Sequence, residues 1–306
     1  MNLQKPLQMV RDMDGKRLRQ NPLAEERVKG FLFEDLGSGD ITSDALIPAD
    51  LRARGQLYFR EPGVAAGLEE ASAVFTLLGC DVDQLALDGA HVEAKQVLLR
   101  VEGSARALLA GERVALNIVS HMAGIATATA EVVKSVAAAN PRTRVAATRK
   151  TLPGLKYMQK KAVQLGGGDT HRIGLDDCVL IKDNHLSLLP SVAEAVRLAR
   201  EKVSFTKKIE VEVRTREQAR EAAVAGAEII MFDNMKPPEI GEALRALDSE
   251  GLRAGRLFEA SGGITTDNAA GYASAGVDVV SLGSLTHSVR ALDVKLEISI
   301  VGRIKA

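Results

Sequence analysis

The chain has 306 residues, 46% of them apolar, enough for one large domain or two smaller ones around a sizeable core. Its 40 Lys and Arg balance its 40 Asp and Glu, and aromatic residues make up only 3%, with no Trp. A neutral chain with few rings offers nucleic acid neither a basic surface nor a stacking platform. The two cysteines, Cys80 and Cys178, each lie in an apolar run and read as reduced core thiols. The opening stretch MNLQKPLQMVRDMDGKRLRQ is charged throughout and lacks the apolar core of a signal peptide, and no apolar run elsewhere approaches membrane-spanning length. These features predict a cytoplasmic protein with no membrane partner.

Along the chain, EDLGSGDITSDALIP (34–48) supplies glycine turns and Ser, Thr and Asp positions fit to cap a helix. QLYFR reads as a strand, GLEEASAVFTLLG as a helix and QVLLRVEG as a strand. Residues 104–139 are Ala-rich and helical in period, with Ser104 as the expected cap, and connect this half to the next. From about residue 143 the pattern becomes regular. TRVAATR, CVLIKDN, KIEVEVR, EIIMFDN, LFEASGG and VDVVSLG are strand candidates. Between most of them lie helical segments: SVAEAVRLAREKV, REQAREAAVAGA, PPEIGEALRALDSE and TTDNAAGYASAG. Strands alternating with helices predict a parallel sheet. Six such units suffice for a barrel or near-barrel, with a doubly wound sheet as the alternative.

Each of these strands ends in polar residues, and in a barrel those ends converge on one mouth. Arg149, Lys150, His171, Arg172 and Lys182 would crowd a single cavity there. Like charges in a low-dielectric pocket repel and lose solvation, so a site that gathers them expects a polyanionic ligand. The alternative is a set of surface ion pairs to Asp169, Asp176 and Asp177. Glu212 and Asp233, on successive strand ends, are oxygen donors of the kind Mg²⁺ takes beside phosphate. Three glycine sets stand out: Gly166-Gly167-Gly168, Ser261-Gly262-Gly263 and Gly283-Ser284. ASGGIT, followed by a helix start at TTDN, would offer backbone N–H groups and a helix N-terminus to a phosphate. No zinc motif, nucleophile elbow, Walker loop or dinucleotide fingerprint occurs.

Taken in order, EDLGSGDIT, ERVALN with AGIAT, TRKTLPGL, GGGDTHRIGLDDCVLIKDNH, IEVEV, FDNM, EASGGIT and GVDVVSLGSLTHS resemble the blocks of the quinolinate phosphoribosyltransferases. The resemblance implies an N-terminal α/β sandwich (1–112), an open or incomplete TIM-like α/β barrel (113–289), and a tail (290–306) packed back onto the sandwich. It implies transfer of phosphoribosyl from phosphoribosyl pyrophosphate to quinolinate with loss of CO₂, giving nicotinate mononucleotide for NAD synthesis. By the same resemblance Arg113, Arg149, Lys150, His171, Arg172 and Lys182 would hold quinolinate. Lys150, Asp183, Glu212, Asp233, Ser261, Gly262, Gly263, Gly283, Ser284 and His287 would hold phosphoribosyl pyrophosphate. Lys150, Lys182, Glu212 and Asp233 would be the catalytic groups, with Mg²⁺ as cofactor at Glu212 and Asp233. Arg113 would come from the partner in a homodimer with shared active sites, a form that allows a hexamer of dimers. Competing readings are a relative acting on another acid, a Schiff-base aldolase using Lys182, and a non-catalytic sensor of a pyridine acid or phosphoribosyl compound.

Overall fold

A computed structural model describes residues 22–303. The stretch read above for a leader, and the outer ends of the expected 1–112 and 290–306 units, lie outside the described residues. The first half runs α1 (Pro22–Leu36), α2 (Ile41–Leu46), β1 (Leu51–Phe59), β2 (Gly63–Val64), α3 (Leu68–Leu77), β3 (Asp81–Gln84), β4 (His91–Val92) and β5 (Val97–Ser104). Asp40 caps α2, its carboxylate accepting the Ser43 N–H at 3.0 Å. Strand β1 alternates as a half-buried strand must: Ala53, Leu57 and Phe59 are buried, while Arg54 is exposed and pairs with Glu102 across the ladder at 2.8 Å.

A single helix, α4 (Ala105–Ala139), then crosses the molecule. Ser104, expected to cap it, makes no side-chain cap bond and instead ends β5, paired with Arg52. By length and hydropathy α4 passes the test for a membrane span, which corrects the expectation that no run would. It is a core helix all the same, with 56% of the apolar window buried. Leu108, Ala115, Val119, Met122, Ile125 and Ala126 are buried along it. Gly124 lets the chain near Arg290 pass close, since a Cβ there would meet the Arg290 carbonyl at 2.2 Å. The expected domain boundary at residue 112 falls inside this helix.

The second half runs β6 (Arg144–Ala147), α5 (Lys156–Leu165), β7 (Val179–Ile181), α6 (Asp183–Leu186), α7 (Val192–Lys202), β8 (Ile209–Val213), α8 (Arg216–Val224), β9 (Ile229–Asp233), α9 (Pro237–Ser249), β10 (Leu257–Ser261), α10 (Ala269–Ser274), β11 (Val279–Leu282), α11 (Ser284–His287) and β12 (Val294–Arg303). Strand β12 returns to the first half and pairs antiparallel with β1, in a sheet of order β12-β1-β5-β3.

The other six strands form a parallel sheet of order β6-β11-β10-β9-β8-β7. Strands 7 to 11 follow one another without the reversal a doubly wound sheet needs, so the barrel reading holds. The ring is open between β6 and β7. There the chain after α5 joins the β6 edge: Asp169 N–H donates to the Val145 carbonyl at 2.7 Å, and Ala147 N–H to the Asp169 carbonyl at 2.9 Å. In β8 every residue is buried, as in a strand covered on both faces. Ile209, Val211 and Val213 face the helices, and period two sends Glu210 and Glu212 inward. The same alternation turns Met231 and Asp233 of β9, Glu259 and Ser261 of β10, and Ser281 of β11 into the barrel, while Phe232 and Phe258 stack outside it.

Candidate active site

A cavity of about 420 Å³ opens at the C-terminal ends of the barrel strands. Arg149 and Lys150 follow β6, His171 and Arg172 sit in the open gap, and Lys182 follows β7. Glu212, Asp233, Ser261, Gly262 and Gly263 line the same cavity. Among the described residues, Arg149, Lys150 and Arg172 form no ion pair. The three aspartates offered as alternative partners are turned elsewhere: Asp169 accepts the His171 N–H at 2.8 Å, and Asp177 accepts the Ile173 N–H. Asp176 pairs with none of these cations among the described residues. The basic wall is therefore open toward the cavity.

Lys182 reaches across to Glu212, Nζ to carboxylate 2.8 Å. Its amine is engaged in an ion pair instead of standing free as a nucleophile, which counts against the aldolase reading. Asp233 is held by Arg214 at 3.1 Å, and the same guanidinium reaches Asp183 at 2.9 Å. Asp183 thus steadies Asp233 from outside the cavity. Glu212 and Asp233 offer oxygen alone, the donor type that suits Mg²⁺.

His171 has its own arrangement. Its Nε2 lies 3.1 Å from Glu259 and 3.6 Å from Glu210, both buried, and its Nδ1 accepts the Arg172 N–H at 2.7 Å. Burial opposes a second proton on this ring, while Glu210 and Glu259 favour one, and the net pull is upward. The Arg172 N–H aimed at Nδ1 works against that second proton, while Nε2 faces the Glu259 carboxylate as donor. Burial pushes Glu210 up, toward its protonated acid.

The glycine sets divide. Gly262 (φ +86) and Gly263 (φ +64) adopt left-handed backbone, and a Cβ on Gly262 would meet the Asn234 side chain at 2.6 Å. The helix expected to start at TTDN begins only at Ala269, because Asn268 bonds back to the Thr265 N–H (2.8 Å) and the Gly263 carbonyl (3.1 Å), closing a turn. A phosphate there meets the Ser261-Gly262-Gly263 turn, not a helix end. Gly283, Ser284 and His287 stand beside Lys150 and do not line the cavity: a Cβ on Gly283 would lie 2.9 Å from His287 and 3.0 Å from Lys150. Gly166 and Gly168 serve packing, since a Cβ on Gly166 would meet the Ala126 carbonyl at 2.3 Å and one on Gly168 would meet Thr129 and Val163 at 2.8 Å. Arg113 is exposed on α4 and does not line its own chain's cavity.

Two family models match, in order, the quinolinate phosphoribosyl transferase N-terminal domain over residues 40–123 and its C-terminal domain over 125–297. The chain belongs to the quinolinate phosphoribosyltransferase family. It is 48% identical to a Methanocaldococcus jannaschii protein named a probable nicotinate-nucleotide pyrophosphorylase (carboxylating), over 89% of this chain and 95% of that one. It is 38% identical to the human nicotinate-nucleotide pyrophosphorylase (carboxylating), over 83% of this chain and 85% of the human one. The crystal structure of NadC from Streptococcus pyogenes superposes with a TM-score of 0.86 at 35% identity, covering 93% of this chain and all of that one.

Within this family member, Glu259, behind His171, and Asn234, whose left-handed backbone (φ +59) sets its side chain over Gly262, line the cavity at the polar strand ends read from the sequence. Arg214, bonded to Asp233 from outside the cavity lining, was not placed by sequence reasoning. Period two puts Glu259 on the strand face it shares with Ser261. Nothing in the linear sequence marks Arg214, whose role depends on the alignment of β8 with β9.

Proposed function

We infer that this chain is a quinolinate phosphoribosyltransferase, a pentosyltransferase that joins quinolinate to phosphoribosyl pyrophosphate with loss of CO₂, yielding nicotinate mononucleotide. The observation that carries the reading is the set of cations without an ion pair among the described residues, Arg149, Lys150 and Arg172, facing Glu212 and Asp233 across one cavity. A dicarboxylate beside a pyrophosphate answers that charge pattern, with Arg forks suited to carboxylate and Lys to phosphate.

In this reading Arg149, His171, Arg172 and Lys182 wall the pyridine diacid, and Lys150 reaches between the two substrates. Ser261, Gly262 and Gly263 take the 5′-phosphate, with Gly283, Ser284 and His287 supporting Lys150 at that edge. Mg²⁺, when bound, would be held by Glu212 and Asp233 and would supply charge neutralisation for pyrophosphate. The bond from the ribose anomeric carbon to pyrophosphate breaks, its electron pair leaving with pyrophosphate. Glu212 and Asp233 favour the positive charge that develops on the sugar, as carboxylates do in glycoside cleavage. The quinolinate nitrogen then forms the new bond from the opposite face. The resulting pyridinium accepts the electron pair of the bond to the 2-carboxylate, CO₂ departs, and a proton takes its place. No protein nucleophile is required, and positioning with electrostatics provides the rate. A sensor would have no use for Glu212 and Asp233 placed to steer pyrophosphate out.

Arg113, exposed and away from its own cavity, serves the neighbouring subunit's site in a two-fold dimer. Both substrates are soluble and highly charged, which fits a cytoplasmic reaction. The test is turnover with quinolinate, phosphoribosyl pyrophosphate and Mg²⁺, with nicotinate as the comparison. Nicotinate lacks the 2-carboxylate, and each charge-assisted bond lost costs about 1.5–3 kcal/mol, so its kcat/KM falls roughly 10- to 100-fold or more below that of quinolinate. Comparable turnover of the two acids overturns the diacid assignment.

A further inference from the structure

Behind the basic wall stands a lysine for which the reaction has no use. Lys160, on α5, is 2% exposed and has no carboxylate within ion-pair distance among the described residues. A buried ammonium without such a partner is costly, and its directed N–H bonds are what it can offer in return. Its Nζ donates to the Thr170 carbonyl and lies 3.5 Å from the Arg172 carbonyl. Those two carbonyls flank His171, whose backbone sits in the left-handed region at φ +51. A non-glycine residue stays there only where its surroundings hold it. From the other side Asp169 accepts the His171 N–H, and His171 Nδ1 accepts the Arg172 N–H.

We propose that Lys160 is a positioning residue for the quinolinate wall, tying the carbonyls on both sides of His171 so that the turn presents His171 and Arg172 to the substrate's carboxylates. The inference rests on the functional reading above, and Lys160 itself touches no substrate. Burial pushes the Lys160 amine down to about 8; of the charged groups around it, Asp169 and Asp177 favour the ammonium, while Lys156 and Arg149 oppose it. Below that pH the group is an ammonium with three donors. Above it the charge is lost, the bonds to the two carbonyls weaken to those of a neutral amine, and the turn loosens.

The experiment measures KM for each substrate, and quinolinate affinity by calorimetry, from pH 6.5 to 9.5 in the wild type, Lys160→Met and Lys160→Arg. The wild type shows KM for quinolinate rising above about pH 8 while KM for phosphoribosyl pyrophosphate stays level. Lys160→Met raises the quinolinate constants about tenfold or more at neutral pH, changes the other KM less than about twofold, and loses the alkaline rise. Lys160→Arg, which keeps its charge throughout, binds quinolinate within a few-fold of wild type and flattens the profile. Should Lys160→Met fail to fold, the wild type and Lys160→Arg profiles decide. A quinolinate KM that is level to pH 9.5 in the wild type, or a Lys160→Met effect equal on both substrates, overturns the proposal alone. A wild type that neither binds nor converts quinolinate overturns the functional reading, and this proposal with it.

Discussion

Among the described residues Arg149, Lys150 and Arg172 form no ion pair, whereas Lys182, Glu212, Asp233 and Arg214 are already paired. In the proposed reading the pocket divides between Arg149 and Arg172 on the acid side and Glu212 and Asp233 on the leaving-group side, with Lys182 bridging from the acid wall to Glu212. Asp233→Asn tests it. Arg214 keeps its bond to Asp183 in that variant, so the fold and quinolinate affinity stay close to wild type. Turnover drops on the order of 100-fold, the scale for removing one group that stabilises developing charge. Calorimetric titration with quinolinate and a Mg²⁺-dependent rate assay check the two halves of this expectation. Loss of quinolinate binding with an intact metal response would mean the pocket is divided differently.

At the scale of elements, the strand ends were readable because a parallel strand has period two and must end in something polar at the mouth. Glu212, Asp233 and Ser261 follow from that rule alone. The glycines were less readable, since Gly-Gly says only that a side chain would not fit. Gly166 and Gly168 make room for α4, while Gly262 makes room for Asn234, and only the packing tells the two uses apart. The opening between β6 and β7 was equally silent: the segment from Asp169 to Cys178 has no regular period, yet it fills the gap and supplies His171 and Arg172. The helix misplaced by four residues reflects Asn268, which can cap a turn as readily as a helix. Gly262→Ala follows from the packing. Its Cβ would sit 2.6 Å from Asn234 on a left-handed backbone, so the turn has to shift. We expect KM for phosphoribosyl pyrophosphate to rise about tenfold or more, quinolinate affinity to hold, and the melting temperature to fall by only a few degrees. Equal losses for both substrates would show that the turn does not belong to the phosphate side.

On the scale of the whole molecule, α4 joins the two halves and β12 ties the chain's end back to β1. Arg113 lies on that shared helix, facing out. If it completes the neighbour's cavity, two inactive chains can restore one another. In a mixed dimer of Arg113→Ala with Asp233→Asn, the cavity of the Arg113→Ala chain has its own Asp233 and borrows an intact Arg113. The other cavity carries both lesions. Random pairing of equal amounts restores roughly a quarter of wild-type activity, a consequence of two-fold exchange between shared sites. Mixed dimers as inactive as either parent would place Arg113 within its own chain's chemistry or outside the reaction. The central claim, that one cavity couples phosphoribosyl transfer to decarboxylation, is tested most directly with quinolinate carrying ¹⁴C in its 2-carboxylate. The account predicts ¹⁴CO₂ released in step with pyrophosphate, one for one, and none when phosphoribosyl pyrophosphate is withheld. Release without the second substrate, or a nucleotide that retains the label, would contradict it.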